Sequence, residues 1–235
     1  MQRLTRQYFV IMFSMFLSIL FFKSYAYAQN AAWVDTQLPG AFPSMYHYGL
    51  GETCMIFVDD TSSAVYAFDI YNGDWEVLLV PTKLDWEDAE SDGNVAMAYN
   101  DSIIVGYSAL THSFDALVYS GGILNISNAY GCMDNFAYFV TDFLFYVFDA
   151  EDGQWRTFSY TPPGTAPWGG GVRGKGDYIY LDLWIQNSPP HTMAAYSLHT
   201  KTFDELTESN VYGHEEYDHG FTFFRSNATP YLCGG

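Results

Sequence analysis

Ala64-Val65-Tyr66-Ala67-Phe68-Asp69-Ile70-Tyr71-Asn72-Gly73-Asp74-Trp75 aligns without gaps on Leu144-Phe145-Tyr146-Val147-Phe148-Asp149-Ala150-Glu151-Asp152-Gly153-Gln154-Trp155. Each segment reads as an aromatic strand ending in Asp, a turn containing Gly, and a Trp that opens the next strand. Asp precedes Trp by six residues in both. Asn72-Gly73 and Asp152-Gly153 are strong hairpin signals, because Gly takes the positive φ that such a turn demands. Asp69 and Asp149 can accept hydrogen bonds from turn amides. Trp75 and Trp155 carry enough apolar area to pack across onto a neighbouring sheet.

Two looser copies extend the pattern. One runs from Met193 through Tyr196 and Ser197 to Phe203, which takes the Trp position; the other is read at Asp115 to Gly122. A second short aromatic or β-branched strand precedes each copy, and a fifth such strand lies near Phe221. The residues Ile56, Ile103, Tyr138, Ile179 and Thr222, taken as markers of these strands, are separated by 47, 35, 41 and 43 residues. A period near forty with several strands per unit is the signature of a propeller blade. Tyr48-Gly49, Ala96 to Tyr99, Tyr130-Gly131, Val172 to Gly174 and Tyr212-Gly213 are expected to be the innermost strands. No segment combines a 3.6-residue period with capping signals, so helix is not expected. The expectation is an all-β propeller of about five four-stranded blades, or part of a larger one. Trp33 to Pro39 would supply the outer strand that fastens the last blade, alongside Val211 to Glu216, Phe221 to Arg225 and Pro230 to Cys233. In that closed arrangement Cys233 would approach the first blade, and a Cys54–Cys233 disulfide becomes an expectation.

The aromatic pair, the Asp, the Gly-containing turn and the Trp six residues after the Asp together resemble the Kelch repeat. The resemblance extends from about Trp33 to the C-terminus and is sharp at Asp69–Trp75 and Asp149–Trp155. One feature departs from it: the double Gly of a Kelch blade is replaced by Phe57-Val58-Asp59 and Phe139-Val140-Thr141. The resemblance implies that Trp33, Asp69, Gly73, Trp75, Asp149, Gly153, Trp155 and Phe203 are structural.

Residues 1–28 read as an export signal. Arg3 and Arg6 form a positive start, Tyr8 to Phe22 is apolar apart from Ser14 and Ser18, and Ala26-Tyr27-Ala28 offers a small-x-small cleavage site. The expected location is therefore secreted, periplasmic or extracellular. Cleavage removes Arg3, Arg6 and Lys23 and leaves six basic residues against 27 acidic ones, a net charge of −21. Such a charge opposes binding to nucleic acid and to an anionic membrane surface. With 49% hydrophobic and 19% aromatic residues, the chain has ample apolar surface for a core.

The catalytic motifs are not met. His214-Glu215-Glu216-Tyr217-Asp218-His219 differs from H-E-x-x-H at position 218 and sits in a strand-and-turn context. Asp149 to Gly153 lacks the ligand spacing of a calcium loop. Gly169 to Lys175 lacks the Ser or Thr and the helix of a phosphate-binding loop. No C-x-x-C or Gly-x-Ser-x-Gly occurs. No catalytic residue, metal or cofactor is assigned. The candidate ligand-binding residues are Arg173 and Lys175, two of the six basic residues remaining after cleavage, with Trp168, His214 and His219. Trp86, Trp184 and Tyr46 are further candidates for stacking on a sugar. The function expected is a non-catalytic binding module for a protein or glycan ligand. The alternatives are a carbohydrate-active propeller enzyme and a structural module of a larger extracellular protein.

Overall fold

The computed structural model describes residues 46–59, 64–80, 85–163, 169–185, 188–208, 211–217, 220–225 and 230–234; side chains are described from 47 to 205 within these stretches, apart from 188–190. The chain divides into Met1–Leu38 and Pro39–Gly235. The first unit, with the expected export signal and Trp33, lies outside the described residues.

The second unit is a β-propeller built of successive antiparallel sheets. β1 (Tyr46–Leu50), β2 (Cys54–Asp59), β3 (Ala64–Asp69) and β4 (Trp75–Leu79) pair in chain order. So do β5 (Trp86–Asp92), β6 (Val95–Asn100), β7 (Ile103–Ser108) and β8 (Ser113–Val118). The third sheet holds β9 (Tyr130–Met133), β10 (Phe136–Val140), β11 (Leu144–Asp149) and β12 (Gln154–Ser159). The fourth holds β13 (Gly169–Lys175), β14 (Tyr178–Ile185), β15 (Ser188–Ser197) and β16 (Thr202–Glu208). A fifth, three-stranded sheet holds β17 (Val211–Tyr217), β18 (Gly220–Arg225) and β19 (Pro230–Gly234). There is no helix among the described residues.

Each middle sheet is apolar on both faces because it is packed on both sides. In β10, Phe136, Tyr138 and Val140 join Ile179, Leu181 and Leu183 of the fourth sheet in one core. The alternate residues Ala137 and Phe139 join Val95, Met97 and Tyr99 of the second sheet in another. A third core unites Ile56, Val58 and Val65 with Ala96, Ala98 and Tyr107. Full burial of each large side chain contributes roughly 1.5–3 kcal/mol. The first strands of successive sheets also touch. Gly49 in β1 lies so close to β5 that a Cβ there would collide with the backbone of Glu90 and Ser91.

The second sheet corrects the sequence-based reading. Its innermost strand is β5, the acidic stretch Trp86-Glu87-Asp88-Ala89-Glu90-Ser91-Asp92, and Ala96 to Tyr99 belongs to the second strand. Ile103 therefore begins the third strand. The residues in register are Ile56, Met97, Tyr138 and Tyr180, opposite Ala67, Gly106, Val147 and Ala195. The intervals then become a regular 41, 41 and 42 residues. The repeat copy in this sheet is Tyr107 to Phe114, and Asp115 to Gly122 is outer strand and connection.

The ends of the third strands follow a two-sheet rhythm. The first and third sheets read Phe68-Asp69 and Phe148-Asp149, with Gly73 and Gly153 at left-handed φ values of 70° and 65°. The second and fourth read Tyr107-Ser108 and Tyr196-Ser197, with His112 and Lys201 left-handed at 53° and 55°. Trp75, Phe114, Trp155 and Phe203 follow at the same offset. Each faces its own third-strand aromatic, with ring centroids 4.8–5.4 Å apart.

This alternation ties the sheets together in pairs. Asp69 is fully buried; its Oδ1 accepts from the amides of Tyr71 and Asn72. Its Oδ2 accepts the Tyr107 hydroxyl at 2.5 Å and lies 2.9 Å from His112 Nδ1. Asp149, also fully buried, accepts the Glu151 amide, the Tyr196 hydroxyl at 2.6 Å and Lys201 Nζ at 2.8 Å. Burial pushes the Asp69 carboxyl up, but the hydrogen bonds from Tyr107, the Asn72 amide and His112 outweigh it and hold it below the usual range. Burial, then the bonded carboxylate, pushes the Tyr107 and Tyr196 phenols far up, so they remain donors. Between the second and third sheets a different link operates. Ser108 Oγ accepts from the Leu110 and Thr111 amides, as an Asp would, and donates to the Ala150 carbonyl at 2.6 Å.

The two repeat tryptophans differ in burial. Trp155 is buried, its backbone amide donating to Asp115 Oδ2 and its indole to the Asp115 carbonyl in the preceding sheet. Trp75 is only half-buried. Cys54 and Cys132 carry free thiols. Cys54 is buried beside Ser91, its Sγ 3.4 Å from the Ser91 hydroxyl, and the side chain of Cys233, the partner expected for it, lies outside the described residues. Burial pushes the Cys54 thiol up to about 11, which makes it inert.

Candidate functional site

A cleft of about 510 Å³ opens between the third and fourth sheets. Ser127 and Asn128 of the β8–β9 connection form one wall. The other is β13 from Gly169 to Arg173, with Trp184 of β14 behind it. The volume is in the range of small-molecule sites.

Three consecutive glycines shape that wall. Gly169 pairs with Trp184 across the strands, and a Cβ on it would come within 2.5 Å of the indole Nε1. Gly170 adopts φ 135°, a left-handed region open chiefly to glycine, with its backbone pressed on the Asp182 carbonyl. Gly171 faces the Ser127 carbonyl, where a Cβ would stand 2.8 Å away. A side chain at Gly169 would fill the space beside the indole, and one at Gly170 or Gly171 would strike the Asp182 or Ser127 carbonyl. The sequence here is therefore read best as a bared backbone next to an aromatic ring.

Trp184 is held from behind. His191, its cross-strand partner, packs its ring 5.7 Å from the indole, and His191 Nδ1 lies 3.1 Å from Asp182 Oδ1. Asp182 is only 3% exposed. A carboxylate so buried requires a hydrogen-bonding partner, and the imidazole that supplies it is thereby fixed against Trp184.

Of the sequence-predicted ligand residues, the structure brings Arg173 into the cleft, exposed on the same strand as the glycines. Lys175 ends β13, exposed and beyond the cleft lining. The backbone of His214 belongs to β17, and its side chain lies outside the described residues, as do Trp168 and His219. Trp184 is the stacking candidate that the cleft retains. Trp86 is corrected: it is 4% exposed and packs in the core between the first two sheets. The backbone of Tyr46 belongs to β1, with its side chain outside the described residues. Ser127, Asn128, Asp182 and His191 are additions that sequence reasoning missed. Asn128 has φ 58°, a left-handed conformation to which Asn is suited, but nothing in the sequence links it to a strand some forty residues on.

No family model and no curated protein matches this sequence. Among solved structures, the chain is similar to apo AztD from Citrobacter koseri, with a TM-score of 0.39 and 11% identity over 69% of this chain and 46% of that one. It is also similar to Hsv2 from Kluyveromyces lactis, with a TM-score of 0.32 and 6% identity over 81% of this chain and 75% of that one. The chain thus spans less than half the length of AztD.

Proposed function

We propose that the chain is a secreted, non-catalytic binding module of divergent Kelch-like type whose ligand is a glycan seated in the cleft between the third and fourth sheets. The observation that carries this reading is the indole of Trp184 paired across the strands with Gly169, the first of three glycines that line the cleft. An aromatic face with bared backbone beside it suits the apolar face of a sugar ring, with backbone groups for its hydroxyls. The lining supplies an indole, a guanidinium, a hydroxyl, an amide and backbone, which are recognition groups. Export follows from residues 1–28, and N-terminal sequencing of the exported protein should begin at Gln29.

Binding of the exported chain to an immobilised glycan panel tests the reading. The Trp184→Ala variant should lose about tenfold or more in affinity for any glycan bound, since an aromatic contact and its buried area are removed. Its melting temperature should hold near that of the parent. Unchanged binding in that variant would place the ligand elsewhere.

A further inference from the structure

We propose that the glycan is held through a hydroxyl that donates to the carboxylate of Asp182, which makes Asp182 the specificity-determining residue of the cleft; this rests on the reading of the cleft as a glycan site. Asp182 is 3% exposed, and the contact of its Oδ1 with His191 Nδ1 at 3.1 Å is the one hydrogen bond its carboxylate makes among the described residues. A carboxylate has room for about four hydrogen bonds, and a buried one left partly unbonded is costly. Its other oxygen, Oδ2, is an acceptor that a ligand donor would complete.

The strands set that acceptor beside the stacking ring. Asp182 and Trp184 are two residues apart on β14, so both project to one side of the sheet, about 7 Å apart along the strand. A pyranose with its hydroxyls is wide enough to reach from one to the other. Their cross-strand partners are Gly171 and Gly169. Residues directly opposite share a face, and neither glycine carries a side chain to cover its partner. The Ser127 carbonyl also faces Gly171, 2.8 Å from where a Cβ would stand. Gly171 is thus flanked by two acceptors, and acceptors call for donors from the ligand, which a sugar hydroxyl supplies. An anionic substituent would be repelled by the carboxylate. The next pair along the strands, Arg173 and Tyr180, is engaged within the protein. His191, bonded to Asp182 and packed 5.7 Å from the indole, holds carboxylate and ring as one unit.

Methyl glycosides of glucose, galactose and mannose, each with its single-deoxy and amino-deoxy analogues, are titrated calorimetrically into the chain. The expected result is that a glycoside binds and that removing one of its hydroxyls lowers affinity about tenfold or more, as a hydrogen bond to a charged group provides. Asp182→Asn should shrink that gap, and Asp182→Ala should close it. A role confined to holding His191 and Trp184 in place would weaken both sugars equally and leave the gap as it was; that result would overturn the proposal. On the unaltered chain, the carboxyl carbon-13 resonance of Asp182 should move on saturation with the glycoside and stay with the deoxy analogue. A resonance that responds alike to both would overturn the proposal even where the variants fail to fold, as would deoxy analogues that all bind like their parents. Tighter binding of an amino-deoxy analogue would overturn the hydroxyl in favour of an ammonium group. No binding by any of the sugars, with Trp184→Ala equally silent, would overturn the glycan reading beneath it.

Discussion

The junction between the first and second sheets and the junction between the third and fourth are locked alike but differ at their inner rims. At the first, Asp69 receives Tyr107 and His112. At the second, Asp149 receives Tyr196 and Lys201. Both locks sit at the end of a third strand, and both use a left-handed residue four positions past the next sheet's third strand to deliver the basic side chain. Inside, β1 is pressed directly on β5 through Gly49, whereas β13 meets the Ser127–Asn128 connection ahead of β9 through Gly171 and leaves the cleft beside it. The outer lock holds the sheets together, so the inner rim is released to vary. A cleft can be built at one junction without loosening the fold.

The two locks also differ in chemistry, and that difference can be broken experimentally. The largest effect is expected for Asp149→Ala, which leaves Lys201 and the Tyr196 hydroxyl without their shared acceptor and should cost about 3–5 kcal/mol in chemical denaturation. Asp69→Ala should cost less, about 2–3 kcal/mol, because it strands an imidazole and a hydroxyl where Asp149→Ala strands an ammonium and a hydroxyl. Equal losses would mean that the identity of the basic partner is immaterial.

Trp155→Ala should cost about 3–5 kcal/mol, the usual range for a buried aromatic, and Trp75→Ala distinctly less because Trp75 is half-buried. Reversal of that order in a thermal melt would contradict the packing. Tyr107→Phe and Tyr196→Phe remove a hydrogen bond to a charged group and should each cost about 1.5–3 kcal/mol.

The smallest effect is one of pH. The Asp69 carboxyl is held below its ordinary value: burial raises it, and Tyr107, the Asn72 amide and His112 lower it further. Its contribution is fully present above the unfolded carboxyl value near ~3.9 and fades as pH falls through the folded value. Asp69→Asn should therefore flatten the acid limb of the stability curve below about pH 4. An identical acid limb in the variant would show that Asp69 adds nothing there.

The sequence discloses the first and third sheets and hides the second for a physical reason. Asp-x-x-x-Gly-x-Trp is legible because the carboxylate, the left-handed glycine and the indole each have a strong local preference. In the second sheet Ser108 caps the turn instead of Asp, and His112 adopts the left-handed conformation instead of Gly. Neither choice is signalled locally; both are imposed by the bonds to Ala150 and Asp69. Strand β5 is hidden likewise, since its acidic run is held extended by β6 and by the close approach of β1. At the cleft, the glycines and Arg173 stood out in the sequence as a run that had to serve some purpose. The Ser127–Asn128 wall and the Asp182–His191 support arise from packing between segments distant in the chain.

Amide hydrogen exchange of the chain, with and without a saturating glycan ligand, tests the central claim most directly. Protection is predicted at 127–128 and along 169–173, with the β1–β5 rim unchanged. Protection at the first junction, or none at the cleft while ligand is bound, would contradict it.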